Sequence, residues 1–425
     1  MKKIVAMVLV ITLLVVSLVS LGLAESKPYE GVTLSWLIPG GGSREAFQAV
    51  ADAAEAKLGL KVEIEEAPAG AEGDTVIKTR LSSGEMSDLL YYNSGSLLQA
   101  LNPKDYFVDL SEKADLFDNS FVNAASVDGI LYGVPAETTQ AGAVVYNQKM
   151  YDKYNLEIPL TWADFLANCE VLKQAGEIPV VSASADSWTT QVTYLGDHYN
   201  VSANDPDFTA NFQAGKAKYA THKQGLMSFQ KMYDLIPYIN EDHMATTFND
   251  AVDMLFGGTA CHWIMLTGIF NTGYEMYGDE VNNFGVFGIP GETADVNGLT
   301  VWPSNGVYVN KDGENVEASL AFVDFYTTKE GLDAFASVNK PNGPFHVKGY
   351  VMPADTYTCV KQMQELYFET GKTAIALEFE TSVKGPNCPA ICQEIISGQT
   401  TAAEAAAKYD EDCKKQAVQI GLDWE

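Results

Sequence analysis

The spacing of apolar residues changes character along the chain. Residues 4–21 form an almost unbroken apolar run, whereas from Val32 onward apolar positions alternate or recur at helical intervals. The alternation predicts a strand over 32–38, a glycine turn through Pro39-Gly40-Gly41-Gly42-Ser43, and an Ala-rich helix over 44–58 with Ser43 placed to cap it. A strand over 61–65, a helix over 74–81 and a strand over 88–92 that ends in Asn93-Ser94-Gly95-Ser96 continue the alternation. Such strand-turn-helix units build α/β sheets whose loops at the carboxyl ends of the strands read ligands.

The segment 130–135 leads into Ala136-Glu137-Thr138-Thr139-Gln140, and a buried strand resumes over 143–147. A first crossing between two lobes is expected here. Thr161 caps a helix running to about residue 175, and 178–182 reads as a strand. A helix-rich stretch, 204–256, holds an aromatic-dense core segment, 229–238, and a strand follows within 257–265. Strands over 284–289 and 306–310 flank Val301-Trp302-Pro303-Ser304-Asn305, where a second crossing is expected. Helices are expected over 316–327 and 330–338, and from residue 355 onward the chain reads as helical.

The chain is 425 residues long, more than one compact core usually holds, so two domains are expected. Basic Lys2 and Lys3, the apolar run and the small residues Gly22 and Ala24 predict an export signal over 1–24, cleaved after Ala24, with retention of the apolar run as an anchor helix the alternative. The first cysteine is Cys169, so a lipid anchor just after the apolar run is not expected. With 56 acidic against 27 basic residues, the formal charge of -29 excludes nucleic acid and anionic membrane as partners. Arg44 and Arg80 are the only arginines, which disfavours solutes that need a bidentate guanidinium clamp. One disulfide is expected among Cys388, Cys392 and Cys413, while Cys169 and Cys261 read equally well as small buried side chains. No zinc spacing, phosphate cradle or calcium loop is found, so neither metal nor cofactor is expected.

Three segments in order, 127–135, then Val145-Tyr146-Asn147-Gln148-Lys149, then Pro159-Leu160-Thr161-Trp162-Ala163-Asp164-Phe165, resemble the family 1 extracellular solute-binding proteins of ABC transporters. Residues 254–260 and 322–331 carry the resemblance further along the chain. It implies a two-lobed, periplasmic-binding-protein-like α/β fold with a hinge and an interlobe ligand cleft. The first lobe would comprise 25–137 with 304–345, and the second 138–303 with 346–425. It further implies a monomer that binds a small-molecule solute and hands it to a membrane permease, without catalysis.

A sugar needs flat aromatic platforms for its C–H faces and planar polar groups for its hydroxyls. Trp302 and Trp188 are the foremost candidate platforms, with Trp263 and Trp36 behind them. Ser43, Asn93, Ser94, Glu137 and Asn305 are the polar candidates. A polyamine or other cation is the alternative solute, because the acidic field suits it, and an exported glycoside hydrolase is the rival class.

Overall fold

The computed structural model describes residues 27–40, 43–68 and 70–424; the expected export signal lies outside them. The elements fall around two large sheets, with a small antiparallel two-stranded sheet beside them, residues 126–127 with 130–131. In chain order the strands are β1 Thr33–Pro39, β2 Lys61–Ala67, β3 Leu89–Tyr92, β4 Ser126–Val127, β5 Ile130–Leu131, β6 Gly133–Pro135, β7 Gln140–Asn147, β8 Ile178–Val180, β9 Ala260–Leu266, β10 Phe284–Phe287, β11 Leu299–Trp302, β12 Gly306–Val309 and β13 Thr373–Ile375. The first sheet has the order β2-β1-β3-β12-β6, and the second β13-β11-β7-β9-β8 with β10 also paired to β7. In the first, β1 is parallel to β2 and β3, while β12 runs antiparallel to β3 and β6.

Helices cover both faces of the first sheet, which is why β3 and β12 in its interior are buried throughout. Leu34, Trp36 and Ile38 pack with Phe47 and Phe322 on one face, and Leu37 and Leu90 with Ile77 and Tyr308 on the other. The second lobe has its own cores, around Val145, Trp263 and Phe270 and around Phe165 and Phe287. A further cluster joins the Lys223–Asp234, Cys388–Ile396 and Ala402–Gln419 helices through Phe229, Ile391 and Tyr409.

Since β6 belongs to the first sheet and β7 to the second, the chain passes between lobes through residues 136–139; β11 and β12 return it through 303–305. A third passage follows the Lys329–Val338 helix. There Thr139 N–H donates to Pro344 O at 2.9 Å, and Phe345, Val347 and Tyr350 still pack on the first core. First-lobe contacts therefore run past residue 345, because this segment lies along the first lobe before Tyr357 enters the second core.

Some local expectations change. The Arg44–Leu58 helix has no side-chain cap from Ser43, whose contribution is its carbonyl, accepting from Phe47 N–H at 3.0 Å. The C-terminal region is not wholly helical: β13 joins the edge of the second sheet, parallel to β11. No disulfide links Cys388, Cys392 and Cys413, which are buried and free. Cys388 and Cys392 lie one turn apart on the same helix with sulfurs 4.0 Å apart, about twice a bonded separation.

Candidate functional site

Strand register brings three polar side chains together at the crossings. Tyr91 of β3 pairs with Val307 of β12, and Gly306 pairs with Pro135 of β6. Glu137, just beyond β6, and Asn305, just before β12, therefore flank Tyr91. The Tyr91 hydroxyl donates to Glu137 Oε1 at 2.7 Å and accepts from Asn305 Nδ2 at 2.6 Å. Burial lifts the Glu137 carboxyl above its ordinary range, and the Tyr91 bond draws it partly back. Among the described residues no cation pairs with it.

Beside this trio, β11 ends in Trp302, opposite Gln140 of β7. Its indole is half-buried and lies against Gly142, where a Cβ would come within 2.7 Å of the ring. Its Nε1–H donates to Glu378 Oε1 at 2.5 Å, and the other carboxylate oxygen pairs with Lys384. Asn93 presents a half-buried side chain and accepts the Tyr308 hydroxyl on its carbonyl at 3.0 Å. Trp188 is 42% exposed and rests against Phe248, ring centroids 5.6 Å apart.

Other candidates have structural roles. Trp36 is 0% exposed, ringed by Phe47, Phe322 and Tyr326; it occupies the middle of a strand covered on both faces and is no platform. Trp263, at 3% exposure, is likewise core, enclosed within β9 and packed behind Phe248. Ser94 is buried and donates to Ser304 O at 2.9 Å, fastening β3 to the second crossing rather than meeting a solute. Ser43 is half-buried at the start of its helix, while Gly41 and Gly42 of the same turn lie outside the described residues. Sequence reasoning did not single out Tyr91, Gln140, Glu378 or Lys384. Tyr91 had a signal, its place near the end of a predicted strand, whereas Glu378 reaches Trp302 from far along the chain and Lys384 pairs with Glu378.

On the flank of the crossings a groove of about 1120 Å³ opens between the lobes, lined by Asp118, Asn123 and Lys348 from one side and Thr209, Phe368 and Glu380 from the other. At its wall His346 Nδ1–H donates to Asp118 at 2.8 Å, and Nε2 accepts Ser304 N–H at 3.1 Å. Burial would raise the Asp118 carboxyl, but the His346 imidazole and the Ser120 and Phe121 donors bring it down to about 2.

Two α/β lobes, crossing strands and polar groups gathered at the crossings define a two-lobed binding protein with an interlobe ligand cleft. The chain belongs to the bacterial extracellular solute-binding protein family, whose model matches residues 40–333. It is 22% identical over 291 residues to the multiple sugar-binding protein of Streptococcus mutans, covering 65% of this chain and 67% of that one. It is 24% identical over 278 residues to an uncharacterized ABC transporter extracellular-binding protein of Pyrococcus horikoshii, covering 64% of each. The chain thus aligns with roughly two thirds of these relatives' lengths. Among solved structures, apo RafE of Streptococcus pneumoniae superposes with a TM-score of 0.76 at 17% identity, over 92% of this chain and 99% of that one. The bacterial solute receptor AcbH, described as exclusive for β-D-galactopyranose, gives 0.74 at 18% identity, over 91% and 99%.

Proposed function

We propose that this chain is the substrate-binding component of an ABC importer, capturing a neutral mono- or oligosaccharide outside the cytoplasm and delivering it to a membrane permease. The observation that carries the reading is the bonded trio Tyr91, Glu137 and Asn305, groups able to exchange hydrogen bonds with hydroxyls, at the same lobe crossings where β11 ends in the half-buried Trp302. The arginines support a solute without multiple negative charges. Arg44 pairs with Glu66 and Arg80 with Glu65, both on β2, so neither guanidinium is free for a solute. The names of the streptococcal relative and of AcbH point the same way.

In this reading the protein works as a monomer, exported by cleavage after Ala24 without a lipid anchor, and performs no chemistry. Its lobes are 25–137 with 304–350 and 138–303 with 351–425, the segment through Tyr350 going with the first core on which it packs. A solute touching both lobes favours the closed form by its extra contacts there, and the permease recognises that form. Glu137, which pairs with no cation among the described residues, favours a second reading, a polyamine.

A thermal-shift panel of D-galactose, raffinose, stachyose, chitin oligosaccharide and spermidine decides between them. We expect a sugar to raise the melting temperature, and Trp302→Ala to weaken that sugar by tenfold or more, with Trp188→Ala weakening it less. Stabilisation by spermidine alone would move the assignment to a polyamine. Turnover of chromogenic glycosides without saturable stabilisation would remove the importer role.

A further inference from the structure

The short helix Leu377–Glu380 touches both lobes. On the second lobe it is anchored by Ala376 N–H to Val301 O at 2.9 Å, one residue before Trp302, and by the Glu378 bond to the Trp302 indole at 2.5 Å. Toward the first lobe, Glu378 O accepts the Ser96 hydroxyl at 3.2 Å, and Phe379 lies against Gly95. That contact is close: a Cβ on Gly95, whose φ is +70°, would stand 2.9 Å from the Phe379 Cα and carbonyl oxygen. One residue thus joins the ring at the crossing to the opposing lobe.

A tryptophan at a strand end can swing about two side-chain torsions. A charge-assisted bond at the indole edge removes that freedom, and the contact with Gly142 fixes which way the plane faces. Lys384 pairs with the second carboxylate oxygen and keeps the carboxylate in place.

We propose that Glu378 is a positioning residue that holds the Trp302 ring at the angle a sugar stacks on, and that the Ser96 and Gly95 contacts tie this angle to lobe closure. The proposal rests on reading Trp302 as a sugar platform. A platform held before the solute arrives loses less freedom on binding, so Glu378 raises affinity without touching the sugar.

The test uses the full chain labelled with ¹⁵N, the Trp302 indole N–H being assigned by Trp302→Phe. Without any sugar, Glu378→Leu should move that resonance toward the free-indole position, and Glu378→Gln, which keeps an acceptor, should leave it near the wild-type place. With whichever sugar of the panel stabilises the wild type most, Glu378→Leu should raise Kd about tenfold, with Glu378→Gln restoring most of the loss. Ser96→Ala should raise Kd about threefold with the sugar-free resonance unmoved. An unmoved resonance in Glu378→Leu overturns the clamp whatever the chain binds. A moved resonance with unchanged Kd overturns the positioning role, and an unchanged Kd in Ser96→Ala overturns the link to closure. If no sugar on the panel binds, the sugar reading falls and takes the platform role with it, while the resonance still reports the bond itself. Should Glu378→Leu fail to fold, Trp302→Phe, which keeps an aromatic ring but lacks the N–H that Glu378 accepts, carries the test: its Kd should rise several-fold, and an unchanged Kd overturns the proposal.

Discussion

His262 lies wholly enclosed in β9, its Nδ1–H donating to Pro179 O at 2.7 Å and its Nε2 accepting from the Tyr151 hydroxyl at 2.8 Å. Burial drives its pKa down to about 4, the Pro179 carbonyl opposing that shift. The unfolded chain takes up this proton near pH 6.5, the folded chain only near 4. Acidification through that window therefore favours unfolding. We expect this residue to cost about 2 kcal/mol of stability between pH 6.5 and 5, and His262→Gln to flatten that part of the pH-stability curve, as read by chemical denaturation. The same contrast between type and placement separates the tryptophans. Trp36 and Trp302 are the same residue in two strands, and their positions, mid-strand or strand end, leave one fully enclosed and the other half-buried.

Among the elements, the strands and helices between residues 32 and 92 were legible because their periods are clean, while the short helices Pro103–Tyr106 and Asn119–Ala124 carry too few residues to show one. The Thr161 cap, accepting from Asp164 N–H at 3.2 Å, starts its helix where the sequence predicts. β13 was missed: three residues beside helical segments carry no period, and parallel pairing with β11 alone makes them a strand. The Lys223–Asp234 helix hides another feature that periodicity does not reveal. Lys231 lies on its buried side, and its ammonium meets Asp197 at 2.5 Å and Pro290 O at 2.7 Å, both ion-pair partners being 1% exposed. Lys231→Met leaves Asp197 charged and without its cation. We expect a loss of about 3–5 kcal/mol by urea unfolding, with partial recovery in the double variant carrying Asp197→Asn.

At the scale of the molecule the lobes are joined by passages that lie against one another. Gly343, on the third passage, has a Cβ position 1.8 Å from Thr139 O on the first, and Asn342 Oδ1 accepts the Thr138 hydroxyl at 3.0 Å. A side chain there must displace the backbone of one passage. Gly343→Ala should lower stability by about 1–3 kcal/mol and change the contraction on sugar binding seen by small-angle X-ray scattering. A variant that melts and contracts like the wild type would show that these passages are not mechanically coupled.

The sequence by itself determined the α/β class, the two-lobed family fold and the acidic, arginine-poor character that narrows the solute, because periodicity, motif order and charge are properties of the chain read in one dimension. Only the tertiary structure decided which tryptophans are enclosed in the core and which keep an exposed edge, that the cysteines stay free, and that Glu378 meets Trp302. Those outcomes depend on which strand ends and helices meet in space, and contacts between residues 76 positions apart leave no pattern in a single sequence.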